Sequence, residues 1–391
     1  MTKHLRVLMV AQRFPPYHFA GAELQALALS RALQRRGHAV SVLTTRFRGD
    51  QPLGDQRVEG VPVFRVATVS GALLKPTQLL SMASHVVARA RGVDIVHGHA
   101  LSSATLGALA AALAVKRPVV LKQSLGGAEG DLARVRGSRA ARPLLELMRR
   151  ADAFIALRSS IADELVAAGM PAQRIHLLAN GVDLTRFCPP DTREERVRER
   201  AQLGLPAGPL ALFVGQLVAR KGIASLLRAW RSLQRHEPDA WLVVVGKGTD
   251  EELVTRAAAD GARLRFVGLR ADVPRLMRVA DVLVLPSRNE GCPNVALEAL
   301  ASGLPLVVGR HTLPADLTLA VDCGRVVDDL GDDVELGRAL ATQLARARAL
   351  DEGEEAAWRD ALARRRASVA QLDIDLVAQR YEALYRQLLQ R

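Results

Sequence analysis

Short β-branched runs alternate with helical stretches along this chain, and the alternation runs through twice with one break between. In the first pass the segments 5–11 (LRVLMVA), 39–45 (AVSVLTT), 94–99 (DIVHGH), 118–123 (PVVLKQ), 153–158 (AFIALR) and 174–179 (RIHLLA) read as strands. A helix of period ~3.6 is predicted from Ala22 to Arg36, with Gly37 placed to cap it. The break is 180–195, where Asn-Gly is followed by Pro-Pro and a charged run. The pattern then restarts with 210–216 (LALFVGQ), 241–246 (WLVVVG), 264–268 (LRFVG), 281–287 (DVLVLPS) and 304–309 (LPLVVG). Strands that alternate with helices build parallel, doubly wound sheets. The prediction is an α/β chain of two Rossmann-like domains, 1–188 and 189–371, facing each other across a cleft. Its 391 residues also exceed what one hydrophobic core holds. The last segment, 372–390, reads as an amphipathic helix with Leu372, Leu376, Tyr381, Leu384, Tyr385 and Leu388 on one face. Residues 372–391 are expected to pack back on the first domain.

Several function classes drop out. No run reaches the ~18 apolar residues of a membrane span. Residues 100–115, mostly Ala, Ser, Gly and Thr, read instead as a buried helix. The first residues read as a core strand rather than a signal peptide, so a cytoplasmic location is expected. Cys188, Cys292 and Cys323 are odd in number and widely spaced, with no CxxC, which argues against a disulfide framework and against zinc. None of the nine histidines forms an HExxH, and no metal site is expected. The net charge of +13 is uneven: residues 1–188 carry 25 basic and 12 acidic groups, and residues 189–391 carry 29 of each. Such an excess is either solvated arginine or an attractor of phosphate. With 4% aromatic residues and no basic stripe interleaved with aromatics, nucleic acid is not the expected partner.

Three segments carry the chemistry. In EGCPNVALEALASGLPLVV (290–308), Glu290 falls in the loop after strand 281–287, and Glu298 about one turn into a helix that Asn294 starts. The free N–H groups of that helix start suit phosphate oxygens, and carboxylates grip pairs of hydroxyls. In FVGQLVARKGIASLLRA (213–229), a strand ends at Gly215 and Arg220-Lys221 precede a helix, a pairing of cations that suits a pyrophosphate. The third, VVVGKGTDEEL (243–253), is a glycine turn at a strand end.

Together these motifs resemble the family 4 retaining glycosyltransferases, which have the GT-B fold. The resemblance rests on the two glutamates separated by seven residues in EGCPNVALEALASGLP, on Gly21-Ala22-Glu23 after the first strand, and on the AN-GVD-x3-F-x-P junction. GQL-x2-RKG and the FVG-x6-L tract at 266–276 add to it, and it covers the chain from about residue 5 to the end. It implies that Glu298 holds the ribose hydroxyls of a nucleotide. Glu290 and the backbone of Gly291, Cys292, Pro293 and Asn294 would hold hydroxyls of the donor sugar, and Arg220 and Lys221 would neutralise the leaving diphosphate. Backbone at Gly21 and Gly215 would approach the donor, Val267 and Gly268 would contact the base, and His99 would lie near the donor sugar. His97 and His99 alternate along one strand and are expected to part, with only one of them turned to the cleft.

The implied reaction moves a hexosyl or N-acetylhexosaminyl group, with retention and without metal, from a nucleotide diphosphate sugar to a glycan or lipid-linked acceptor. Polysaccharide or cell-envelope synthesis is the expected setting. No cofactor is implied beyond the donor substrate. A sugar-nucleotide epimerase of the same fold is the alternative. The chain departs from the family pattern at 121–135, where Lys122, Gln123 and Ser124 replace a His-Gly pair, and at 309–320, where GRHTLPADLTLA replaces a Gly-Gly-x-x-Glu stretch. The segment 131–150 carries Arg134, Arg136, Arg139, Arg142, Arg149 and Arg150 among leucines, and is expected to dock on an anionic membrane surface at the inner face of the cell membrane.

Overall fold

A computed structural model describes residues 4–47, 49–69, 74–310, 312–313 and 320–391. The chain divides into two compact units, residues 1–181 with 374–391, and residues 182–373. The division falls at Gly181–Val182 rather than at 188/189, and the return crossing falls at Asp373–Ile374.

The first unit is built on an eight-stranded sheet. Its strands are β1 (Arg6–Ala11), β2 (Ala39–Thr45), β3 (Gly54–Val58), β4 (Val61–Val66), β5 (Ile95–His99), β6 (Val119–Gln123), β7 (Ala153–Ala156) and β8 (Ile175–Leu177), in the order β3-β4-β2-β1-β5-β6-β7-β8. All neighbours are parallel except β3 and β4. That antiparallel pair was not expected. Its turn is Glu59-Gly60, both at positive φ, which is the backbone a two-residue hairpin requires. The polar alternation of GDQRV and the proline in VPVFRV hide it from a search for apolar runs.

The second unit has a six-stranded, wholly parallel sheet of β9 (Leu210–Val214), β10 (Trp241–Val245), β11 (Leu264–Phe266), β12 (Val282–Leu285), β13 (Leu306–Gly309) and β14 (Gly324–Val327). The order is β11-β10-β9-β12-β13-β14. The short edge strand β14 also escaped the sequence reading. In both sheets the first strand sits centrally and the connections reverse direction beside it, between β1 and β5 and between β9 and β12. Ligands of open α/β sheets bind at the carboxyl ends of strands at such a reversal.

Helices cover the sheets for reasons visible in their sequences. Helix Gly21–Arg35 buries Ala26, Leu27, Leu29, Ala32 and Leu33, and Gly37 follows it at φ +87°. Helix Ser103–Ala114 is buried over most of its surface and starts with a Ser102/Thr105 capping box. Helix Ile374–Leu389 completes the core of the first unit with Ile374, Val377, Ala378, Tyr381, Leu384, Tyr385 and Leu388. Leu376, expected on that face, is 46% exposed. The helix starts at Ile374, so spacings of three and four from there select Val377 and Ala378 and turn Leu376 outward. No helix among the described residues is long and apolar enough to cross a membrane.

Candidate active site

In the second unit Gly215, Arg220, Lys221 and Glu290 follow the two strands at the sheet's reversal, β9 and β12. After β9, the Gly215 N–H donates to the Val245 carbonyl at 3.0 Å, and the Leu217 N–H to Lys247 at 3.0 Å, which fixes the loop's path. A single tight turn, Ala219–Lys221, follows, and Gly222 at φ +73° swings the chain into helix Ile223–Leu233. A Cβ on Gly222 would run into the Pro286 carbonyl oxygen, just past β12. Only glycine both adopts this backbone and permits this approach. The approach is locked by the Arg288 N–H, which donates to the Arg220 carbonyl at 2.9 Å.

The consequence is a charge cluster. Lys221 Nζ donates to Glu290 Oε1, and Arg220 Nη1 lies 3.6 Å from Glu290 Oε2. Arg220 Nη2 also donates to Gln216 Oε1 at 3.3 Å. Glu290 and Lys221 are 7% and 8% exposed. Burial lowers the Lys221 pKa from its ordinary value, and the Glu290 carboxylate opposes that shift. Two cations therefore share one carboxylate, leaving a net positive charge at the end of the sheet where an anion would sit.

Beyond Glu290, Gly291, Cys292 and Pro293 are buried and Asn294 is half-buried. Helix Asn294–Ala301 then begins, with Pro293 as its cap residue. Glu298 lies on that helix, half-buried. Burial pushes its carboxyl up to about 7, with the Arg186 charge pulling against it. At neutral pH this carboxyl can donate to or accept from a hydroxyl. Val267 and Gly268 follow β11. The Val267 N–H donates to Val244 at 3.1 Å, the Gly268 carbonyl accepts from Gly246 at 2.9 Å, and Gly268 stands at φ +64° with open space about its Cα. The structure thus brings Arg220, Lys221 and Glu290 into direct contact and sets Glu298 on the adjoining helix. Of the departure at 309–320, residues 311 and 314–319 lie outside the described residues.

In the first unit, Gly21 opens the helix after β1, and His99 ends β5 opposite Ala11 of β1. His97 and His99 do not part. Residues two apart on a strand share a face, and the two rings stack at 4.3 Å between centroids and 29° between planes. His97 Nδ1 lies 2.7 Å from the Tyr385 hydroxyl. Burial holds both imidazoles well below their ordinary pKa and hence neutral, helped at His97 by Lys122 and at His99 by His97 and then Lys122. Neither ring nitrogen of His99 has a hydrogen-bond partner among the described residues. Sequence reasoning took Lys122 only as a departure. It is buried at the end of β6 and donates to Asn180 Oδ1 at 2.8 Å. A lysine closing an otherwise apolar strand was the available signal. Among the described residues, no group of three or more His, Cys, Asp or Glu side chains could hold a metal ion.

Two Rossmann-like units, each with its chemistry-bearing residues at the sheet reversal, define the GT-B class of fold. Solved structures agree. Over 98% of this chain and all of the other, it superposes on Anabaena HepE in complex with UDP-glucose, with a TM-score of 0.76 and 21% identity. It superposes on WaaG, a glycosyltransferase involved in lipopolysaccharide biosynthesis, with a TM-score of 0.72 and 21% identity over 97% of this chain and 99% of WaaG. Residues 19–186 match the Glycosyltransferase Family 4 model and residues 208–346 the model of Glycosyl transferases group 1. The D-inositol 3-phosphate glycosyltransferase of Jonesia denitrificans is 32% identical over 322 residues, 73% of this chain and 74% of that protein. The GDP-mannose-dependent alpha-(1-6)-phosphatidylinositol monomannoside mannosyltransferase of Mycobacterium tuberculosis is 29% identical over 355 residues, 84% of this chain and 88% of that protein. The chain belongs to the family 4 glycosyltransferases.

Proposed function

We propose that this glycosyltransferase moves a sugar, with retention and without metal, from a nucleotide diphosphate to an acceptor. The cluster of Arg220, Lys221 and Glu290 at the end of β9 and β12 carries the reading. Breaking the bond between the anomeric carbon and the phosphate oxygen puts negative charge on the diphosphate and positive charge on the sugar. Arg220 and Lys221 oppose the first, which is the task a metal performs elsewhere. The acceptor hydroxyl attacks from the face the diphosphate leaves, and its proton passes to the departing phosphate oxygen. Glu290, engaged by two cations, serves to orient rather than as a covalent nucleophile. Glu298 holds the ribose hydroxyls, and Gly291 to Asn294, Gly215, Val267 and Gly268 line the donor. Gly21 and His99 are assigned to the donor as well. A neutral His99 can bond a sugar hydroxyl without repelling the positive charge that develops on the ring.

The names of the relatives, with GDP-mannose donors and inositol-based acceptors, support a nucleotide-sugar donor and an acceptor that is lipid-borne or part of a cell-envelope glycan. Screening GDP-, UDP-, ADP- and dTDP-sugars by thermal melt, in excess EDTA, tests the donor. A ligand at 100 times its dissociation constant adds about 2.7 kcal/mol. The donor found should then support transfer in the same EDTA buffer. Loss of transfer that magnesium or manganese restores contradicts the metal-free reading, and an epimer formed from donor alone contradicts transfer.

We also propose that the first unit docks on anionic membrane. In 131–150, Arg136, Arg139, Arg142 and Arg150 are exposed, while Arg134 is paired with Asp131 and Arg149 with Glu146. Helix Ala141–Met148 keeps Leu144, Leu145 and Leu147 half-buried. Each basic residue near such a surface contributes about 1 kcal/mol, screened by salt. Sedimentation with phosphatidylglycerol-containing vesicles should occur at low salt and fade at high salt. Undiminished binding after Arg136, Arg139 and Arg142 are changed to Ser would remove this surface from consideration.

A further inference from the structure

The two histidine rings at the end of β5 are held from the far end of the chain. Helix Ile374–Leu389 lays two tyrosines against His97. The Tyr381 ring is tilted at 33° with 5.3 Å between centroids, and the Tyr385 ring stands nearly edge-on, at 73° and 6.0 Å. His97 and Tyr385 are fully buried, and His99 is 2% exposed.

The protons decide which way the 2.7 Å contact between Tyr385 and His97 Nδ1 runs. Burial raises the Tyr385 pKa well above its ordinary value, so the phenol keeps its proton. A neutral imidazole carries one N–H and one bare nitrogen. If the Tyr385 hydroxyl donates to Nδ1, the His97 proton sits on Nε2, and that N–H is the one unmatched group of the pair among the described residues. The reverse direction leaves two groups unmatched, the phenol proton and Nε2. Each unmatched buried group is costly, so the hydroxyl donates.

His99 has no such bond, since neither of its ring nitrogens has a partner among the described residues. The χ2 torsion of histidine is broad and roughly two-fold, so an imidazole without hydrogen bonds takes its orientation from its neighbours. The neighbour here is the His97 ring, stacked 4.3 Å away, and that ring cannot turn without breaking its bond to Tyr385.

We infer that Tyr385 is a positioning residue for sugar transfer: its hydroxyl, donating to His97, fixes the ring on which His99 stacks and so sets the nitrogen that His99 offers to the donor sugar. The inference rests on the role proposed for His99. Fully buried, Tyr385 acts through His97 and not on substrate.

Tyr385→Phe removes the hydroxyl and keeps the ring, and a melting curve checks the fold. Histidine-selective 15N labelling of the full chain reads the ring nitrogens, with the His97 and His99 signals identified by their loss in His97→Gln and His99→Ala. In the wild type His97 should carry its proton on Nε2. In Tyr385→Phe the ring signals of both histidines should move. With the nucleotide sugar that the melting screen selects, kcat should fall at least fivefold while donor KM stays within twofold. In a His99→Ala background the same substitution should change kcat by less than twofold, because residues that act as one unit are not additive. Unchanged kcat in Tyr385→Phe, or an equal penalty in both backgrounds, overturns the inference. So does a His99 ring whose signals stay in place, or a wild-type His97 protonated on Nδ1, a measurement that needs no variant to fold. Full rate in His99→Ala overturns the role of His99 itself, and is told apart by ring signals that still move together in Tyr385→Phe.

Discussion

Lys221→Ala lowers turnover by about 10²–10³-fold while leaving the fold in place. That is the usual cost of removing one preorganised group that stabilises developing negative charge. Two effects combine here. The buried ammonium proposed to face the leaving diphosphate is lost, and Glu290 loses the donor at its Oε1, while Arg220 stays 3.6 Å from its Oε2. A buried carboxylate that loses an ammonium partner shifts or admits water, so the site loses both charge and geometry. Lys221→Arg should not restore the rate, because a planar fork cannot occupy the position of a compact ammonium buried against Glu290. Steady-state rates at limiting and saturating donor, with circular dichroism as the check on folding, decide the matter. Full activity of Lys221→Ala at limiting donor would refute the assignment.

Gly222→Ala should destabilise the second unit and abolish nucleotide binding together. Left-handed backbone costs a non-glycine residue about 1–2 kcal/mol. Overpacking against the Pro286 carbonyl adds about 1–3 kcal/mol. The collision pushes the Arg220-Lys221 turn away from the strand that leads to Glu290, so the melt and the nucleotide response suffer from one cause. Gly261→Ala isolates the two contributions. Gly261 has φ +77° but nothing within 4 Å of its Cβ position, so only the backbone strain applies. Equal melting temperatures for the two variants would show that the close approach at Gly222 is not what assembles the site.

Both sheets were legible because buried parallel strands are continuous apolar runs, and the restart after 180–195 announced a second one. The contact among Arg220, Lys221 and Glu290 was legible in part. Each residue sits just after a predicted strand, but that the strands are neighbours depends on the reversal between β9 and β12. The hairpin of β3 and β4 was not legible, because its outer strand alternates polar side chains and its turn is the uncommon pair Glu59-Gly60. The stacking of His97 on His99 follows from the period of two and was misjudged. The bond from His97 to Tyr385 joins residues 288 apart in sequence, and no local pattern carries it. Lys122 reaches Asn180 in the same way, across 58 residues.

The first unit is interrupted. Its chain leaves at Gly181 and returns at Ile374, and the two crossings run side by side, with the Val182 N–H bonded to the Leu372 carbonyl at 2.8 Å and a parallel bridge between Val182 and Asp373. Tyr381, Tyr385 and Leu388 belong to the same core as Met9, Ile95 and Val120. During synthesis, then, the unit that starts first finishes last. Its sheet waits, with an open apolar face, while the whole of 182–373 emerges and can close on itself, and a chain stopped a few turns short of its end loses the interior of its beginning.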